Sequence, residues 1–142
     1  MDYSERLKML RKQMGLKQKE IGEQLEITTA GYSNYERHYS FPSIEKLVKL
    51  VEILHTSVQY IVTGKELSVK FQENVTPFPK RLRELRKKKQ LTQVAVANVL
   101  NIDEVTYQHY EYGAYEPKLD KLLQLADLFD VTLDELLGRN RK

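Results

Sequence analysis

"RLKMLRKQMGLKQKEIGEQLEI" (residues 6–27) and "RLRELRKKKQLTQVAVANVLNI" (residues 81–102) lie over one another at an offset of 75 residues without a gap. Arg6/Arg81, Leu7/Leu82, Leu10/Leu85, Arg11/Arg86, Leu16/Leu91, Gln18/Gln93, Leu25/Leu100 and Ile27/Ile102 are identical pairs. The register continues through Tyr32/Tyr107, Tyr35/Tyr110, Glu36/Glu111, Pro42/Pro117, Lys46/Lys121, Leu47/Leu122 and Leu50/Leu125. Many of these positions are apolar and fall at helical spacing, so the repeat preserves a core. The chain is two copies of one unit of roughly 60 residues, a size at which each copy is only marginally stable alone.

Within each copy apolar residues recur with a period near 3.6, and nothing alternates as a half-buried strand does. The pattern predicts an all-α chain with five helices per copy, at 3–14, 18–25, 29–37, 44–54 and 58–63, then 78–89, 93–100, 104–112, 118–129 and 133–137. Start signals agree: Thr28 and Asp103 as N-caps of the third helices, Ser43 after Pro42, and Thr132 with Glu135 as a capping box. Domain 1 is expected over 1–65, a linker over 66–77 and domain 2 over 78–142. Pro77 and Pro79 keep the connecting stretch out of a helix, while "LSVKF" within it has the composition to add a short strand or pack on a neighbour. Fully extended, residues 65–80 span at most ~53–58 Å.

Bulk properties narrow the function without choosing it. The chain has 142 residues, 41% of them apolar and 30% charged, as in an ordinary soluble domain. With no Cys and three scattered histidines (His38, His55, His109), neither a disulfide framework nor a metal cluster is expected. No stretch approaches the ~18 apolar residues of a membrane span, and the first ten residues have no signal-peptide core, so a cytoplasmic protein is expected. The net charge of +3 is compatible with nucleic acid and does not by itself argue for it.

The second and third helices of each copy are short and joined by only three or four residues, a helix-turn-helix arrangement. A small residue in the middle of the second helix, Gly22 or Ala97, lets the third cross closely. "LKQKEIGEQLEITTAGYSNYE" and "LTQVAVANVLNIDEVTYQHYE" resemble the phage-repressor (Cro/repressor-type, XRE) helix-turn-helix family. The shared pattern is a Gln opening the second helix, a small residue four on, an apolar-x-apolar turn, and Tyr-Glu closing the third helix. A Pro follows six residues after that Glu.

The resemblance implies two tandem five-helix, lambda-repressor-like domains that place their third helices in the major groove of double-stranded DNA. Carried over by position, the DNA-binding residues are Gln18, Thr28, Thr29, Ala30, Ser33, Asn34 and Arg37 in the first copy. In the second they are Gln93, Glu104, Val105, Gln108 and His109. The first set suits base edges: Ser and Thr bond either donors or acceptors, Asn pairs with adenine, and Ala or a Thr methyl meets a thymine methyl. A merely solvated helix would carry Lys and Glu there instead. Tyr32, Tyr35, Tyr107 and Tyr110 are expected to pack inward. Arg11 with Glu36, and Arg86 with Glu111, match a structural ion pair of the family. The "RKKK" run at 86–89 reads equally as a phosphate patch and as cations favoured by a helix C-terminus.

The copies depart from the family and from each other. Basic residues usually follow the third helix, but here only Arg37 does, so each domain alone should bind weakly. The turn glycine is replaced by Glu26 and Asn101, the second tolerating a left-handed conformation better. Asp103 and Glu104 bring carboxylates to the second face, although Glu104 has the acceptor for a cytosine amino group. The first copy is thus the expected principal reader and the second an auxiliary reader or an assembly domain.

A DNA-binding transcriptional regulator, repressor-like and of bacterial or phage type, is the leading expectation. The alternative is an interaction module, such as an antitoxin-like binder, taking a protein partner through domain 2. A homodimer fits either. No catalytic constellation or phosphate loop is present, so no enzyme and no cofactor is expected.

Overall fold

The apolar repeat condenses into ten helices in the computed structural model, which describes residues 1–142. The chain divides into two units, Met1–Ser68 and Val69–Lys142. Unit 1 contains α1 (Tyr3–Gln13), α2 (Gln18–Gln24), α3 (Thr29–Glu36), α4 (Ile44–Ile53) and α5 (Val58–Thr63). In unit 2 the order is β1 (Phe71–Val75), α6 (Phe78–Lys88), α7 (Gln93–Leu100), α8 (Glu104–Tyr112), α9 (Leu119–Phe129), α10 (Leu133–Leu136) and β2 (Arg139–Arg141).

Each core is built from positions that the repeat matches. Leu7, Ile21, Leu25, Tyr32, Leu47, Leu50 and Ile61 are buried in unit 1. Their counterparts Leu82, Val96, Leu100, Tyr107, Leu122, Leu125 and Leu136 are buried in unit 2. Burying an aliphatic side chain of this size contributes roughly 1.5–3 kcal/mol, which makes the shared leucines the main support of both units.

Most start signals act as side-chain caps. Thr28, Ser43 and Thr132 accept hydrogen bonds from the amides of Gly31, Lys46 and Glu135. Asp103 occupies the expected extended N-cap position of α8, but its side chain makes no capping bond. The residue is exposed, so water is available to its carboxylate in place of the amide.

The stretch read as a linker, 66–77, carries a strand. β1 pairs antiparallel with β2, Phe71 opposite Arg141 and Val75 opposite Arg139, with an irregularity between them. The backbone amide of Thr76 donates to the carbonyl of Gly138 at 2.8 Å. Gly138 has φ +108° and no room for a Cβ, which would run into the Thr76 carbonyl. Arg139 is buried, bonds Asp134 at 2.8 Å and lies 4.2 Å from the centre of the Phe71 ring. The ribbon therefore shortens the free connection to residues 64–70, with a maximum reach of ~23–25 Å instead of the longer span expected from 65–80.

Candidate nucleic-acid interface

The α2–turn–α3 segment is fixed from three directions. The turn closes when the Ile27 amide donates to the Gly22 carbonyl at 2.9 Å, and Glu26 takes up the left-handed φ of 59° that this reversal needs. Unit 2 repeats the bond from Ile102 to Ala97 at 3.0 Å, with Asn101 at φ 56°. A Cβ on Gly22 would stand 3.2 Å from the Ile27 carbonyl oxygen, so the turn crowds this position. The second fixture is Lys46, whose Nζ donates to the Leu25 carbonyl at 2.7 Å; Lys121 does the same to Leu100 at 2.8 Å.

The third fixture is an ion pair beneath the face. Arg11 donates through Nε and Nη2 to the Glu36 carboxylate at 2.6 and 3.0 Å, and through Nη1 to the Leu16 carbonyl at 3.0 Å. Gln18 Nε2 adds a bond to Glu36 at 3.1 Å. In unit 2 Arg86 makes the same three bonds at 2.7, 3.1 and 3.0 Å, and Gln93 reaches Glu111 at 3.2 Å. The Glu36 and Glu111 side chains are only 2% and 1% exposed. Burial alone would raise their pKa values, but the hydrogen bonds and charge of the Arg partner, with the Gln bond, outweigh it and hold both below the ordinary carboxylate range. Tyr32 and Tyr107 lie fully buried beside these pairs, neither hydroxyl having a partner of normal hydrogen-bond geometry. Burial first, and then the adjacent carboxylate, push both phenols far above their ordinary range, so they remain neutral.

Apart from Gln18 and Gln93, which belong to this scaffold, the residues singled out from the sequence lie outside it. Thr29 and Ala30 are exposed at the start of α3, and Ser33 and Asn34 are half-buried along it. Thr28 is committed through Oγ1 to its cap, and Gln18 through Nε2 to Glu36. Arg37 follows α3, exposed, with its guanidinium 4.5 Å from the Tyr39 ring centre and a 3.2 Å bond to the Tyr39 hydroxyl. In unit 2 a polar chain runs outward from Glu111: Gln93 takes a bond from Gln108 at 3.3 Å, and Gln108 also donates to Glu104 at 3.4 Å. His109 stands 4.8 Å from the Tyr115 ring, centre to centre. Val105 is 61% exposed and Tyr112 76%.

Two supporting pairs escaped the sequence reading. Lys46/Lys121 hold the turns, while Arg6 donates to the carbonyls of Ile61 and Val62 at 2.9 and 3.2 Å, closing the end of α5. Arg81 does the corresponding work on Glu135 and Asn140. The available signal was that charged residues stay identical across the repeat at positions with no expected role in the interface.

No group of His, Cys, Asp and Glu in the structure is arranged to hold a metal, and no helix is long and apolar enough to cross a membrane. The pattern of the helix-turn-helix family matches residues 7–61 and again 82–136. Over 62 residues the chain is 52% identical to the HTH-type transcriptional regulator AnsR of Bacillus subtilis, covering 44% of this chain and 53% of that protein. It is 39% identical over 70 residues to the transcriptional regulator ImmR of Bacillus subtilis, covering 49% and 55%. Similarity to the cryptic phage CTXphi transcriptional repressor RstR of Vibrio cholerae is 37% over 61 residues, covering 43% and 55%. The matched part is about half the length of these relatives. A solved transcriptional regulator from Listeria innocua aligns with 31% identity and a TM-score of 0.41, over 48% of this chain and 59% of that one.

Proposed function

The chain belongs to the helix-turn-helix family in both of its units, and from that membership we propose that it is a sequence-specific, DNA-binding transcriptional regulator of repressor type, acting in the cytoplasm without enzymatic activity. The α3 face of unit 1 is the principal reader. The observation that carries this is the uncharged outer stripe of Thr29, Ala30, Ser33 and Asn34, mounted on a helix that the Arg11–Glu36–Gln18 network holds from below. Short polar side chains on a fixed helix can meet base edges without a long side chain having to be ordered. Relatives named as transcriptional regulators and as a phage repressor support the reading.

The experiment is selection of the full chain against a random duplex pool, followed by a salt titration of the winning site. Enrichment of a defined sequence, with affinity falling steeply as salt rises, is expected. Ser33→Ala with Asn34→Ala should relax the preference, at ~1–3 kcal/mol for each good bidentate pairing with a base that is removed. A pool that stays random, or a double variant with unchanged choice and affinity, refutes the assignment. A second reading, a protein partner or a second copy docking on unit 2, is favoured by the exposed Val105 and Tyr112 beside Asp103 and Glu104.

A further inference from the structure

The two units keep the same inner scaffold and change its whole outer face. On α3 and its end, residues spaced i, i+3, i+4 and i+7 are Ala30, Ser33, Asn34 and Arg37; on α8 they are Val105, Gln108, His109 and Tyr112. This spacing puts each set on one side of its helix. Not one of the four is shared. Beneath them the Arg–Glu bonds differ between units by at most 0.1 Å, 2.6 against 2.7 Å and 3.0 against 3.1 Å.

The second stripe is chemically equipped to read DNA, and to read something else. Val105 has the apolar surface for a thymine methyl, the Oε1 of Gln108 can accept from an exocyclic amino group, and Glu104 accepts from a cytosine amino group. Bonds to Gln93 and Glu104 already hold Gln108. The cations around the helix-turn-helix have moved and not vanished. Lys17, Lys19 and Arg37 become Thr92, Val94 and Tyr112, whereas Gln13 and Met14 become Lys88 and Lys89, both exposed and shortly before the α7 cap. The Tyr112 hydroxyl is a further donor of the kind that meets phosphate.

We infer that one chain recognises one asymmetric DNA site composed of two unlike elements in fixed order, unit 1 reading one and unit 2 the other. This rests on the DNA-binding reading above. The separation of the elements is bounded by residues 64–70, whose ~23–25 Å reach is all that joins α5 to β1.

The test is random-pool selection with the full chain and two variants, Ser33→Ala with Asn34→Ala and Val105→Ala with Gln108→Ala. Two unlike elements are expected, each variant losing discrimination at one of them by about 10–100-fold and leaving the other intact. Should a double variant lose its fold, Lys88→Gln with Lys89→Gln takes its place, and the salt slope should fall by about two. A palindrome of one element, or a single element indifferent to every unit 2 change, overturns the inference while leaving DNA binding standing; unit 2 then serves a protein partner. A pool that never enriches refutes both.

Discussion

Lys46, on α4, donates its ammonium to the carbonyl of Leu25 at the end of α2, 2.7 Å away. The bond ties the turn of the helix-turn-helix to the back of unit 1, at the helix terminus where a cation is favoured. Lys46→Met keeps much of the stem and removes this bond. It should destabilise unit 1 by about 1.5 kcal/mol, the low end for a charge-assisted bond. Lys49→Met, which breaks only the exposed pair with Glu45, should cost no more than ~0.5 kcal/mol. Urea unfolding of the two variants side by side decides it; equal midpoints would remove Lys46 from the scaffold.

Arg11→Ala should be far costlier. It strands the Glu36 carboxylate among buried atoms, at ~3–5 kcal/mol for a broken buried pair. Arg37→Ala should leave the melting temperature in place and weaken only DNA binding, because Arg37 is exposed. A stable Arg11→Ala protein with diminished DNA affinity would make Arg11 a phosphate ligand instead.

Glu26 sits at φ 59°, a conformation costing a side-chain-bearing residue about 1–2 kcal/mol. Glu26→Gly relieves that strain and returns part of it through the greater freedom of the unfolded chain, for a net gain of roughly 0.5–1 kcal/mol. Asn101→Gly should gain less, since Asn suits the same region better. The midpoint of thermal unfolding is the readout, and a Glu26→Gly protein that melts earlier contradicts the argument.

Acid should unfold both units through the same groups. Glu36 and Glu111 titrate lower in the folded chain than in the unfolded one. Their stabilising contribution is therefore present in full above the ordinary glutamate range and is lost as pH falls through their lowered folded values. Asp2, held at about 2 by the Ser4 hydroxyl and the Glu5 amide, adds to the same loss as pH falls from the ordinary aspartate range toward that value. Glu36→Gln should flatten the acid limb of the stability curve. Retention of its full steepness would assign the acid sensitivity elsewhere.

Helix positions and the core were legible because the repeat supplied two readings of each signal. Leu7 and Leu82, or Tyr32 and Tyr107, occupy one environment, so the pattern of one copy checked the other. The ribbon was harder to see. Phe71–Val75 reads "FQENV", without clean alternation, and its partner Arg139–Arg141 is polar and more than sixty residues away. Besides the backbone pairing, Phe71 lies against the Arg139 guanidinium that Asp134 holds, contacts that no local periodicity announces. The candidate interface residues were chosen by their place on the third helix. Their commitments were not legible: Gln18 and Gln93 look free in sequence but are anchored on Glu36 and Glu111, the glutamates near the ends of α3 and α8.

The ribbon also determines how unit 2 would respond to a pull. Lys142 donates its amide to the carbonyl of Lys70 at 3.0 Å, so the two open ends of the ribbon lie side by side. Tension applied across those two points opens an antiparallel pair from its end, breaking one rung after another instead of shearing several together. The ribbon is thus a zipper, mechanically weak, and the load reaches the helices behind it only once the Thr76–Gly138 rung has parted.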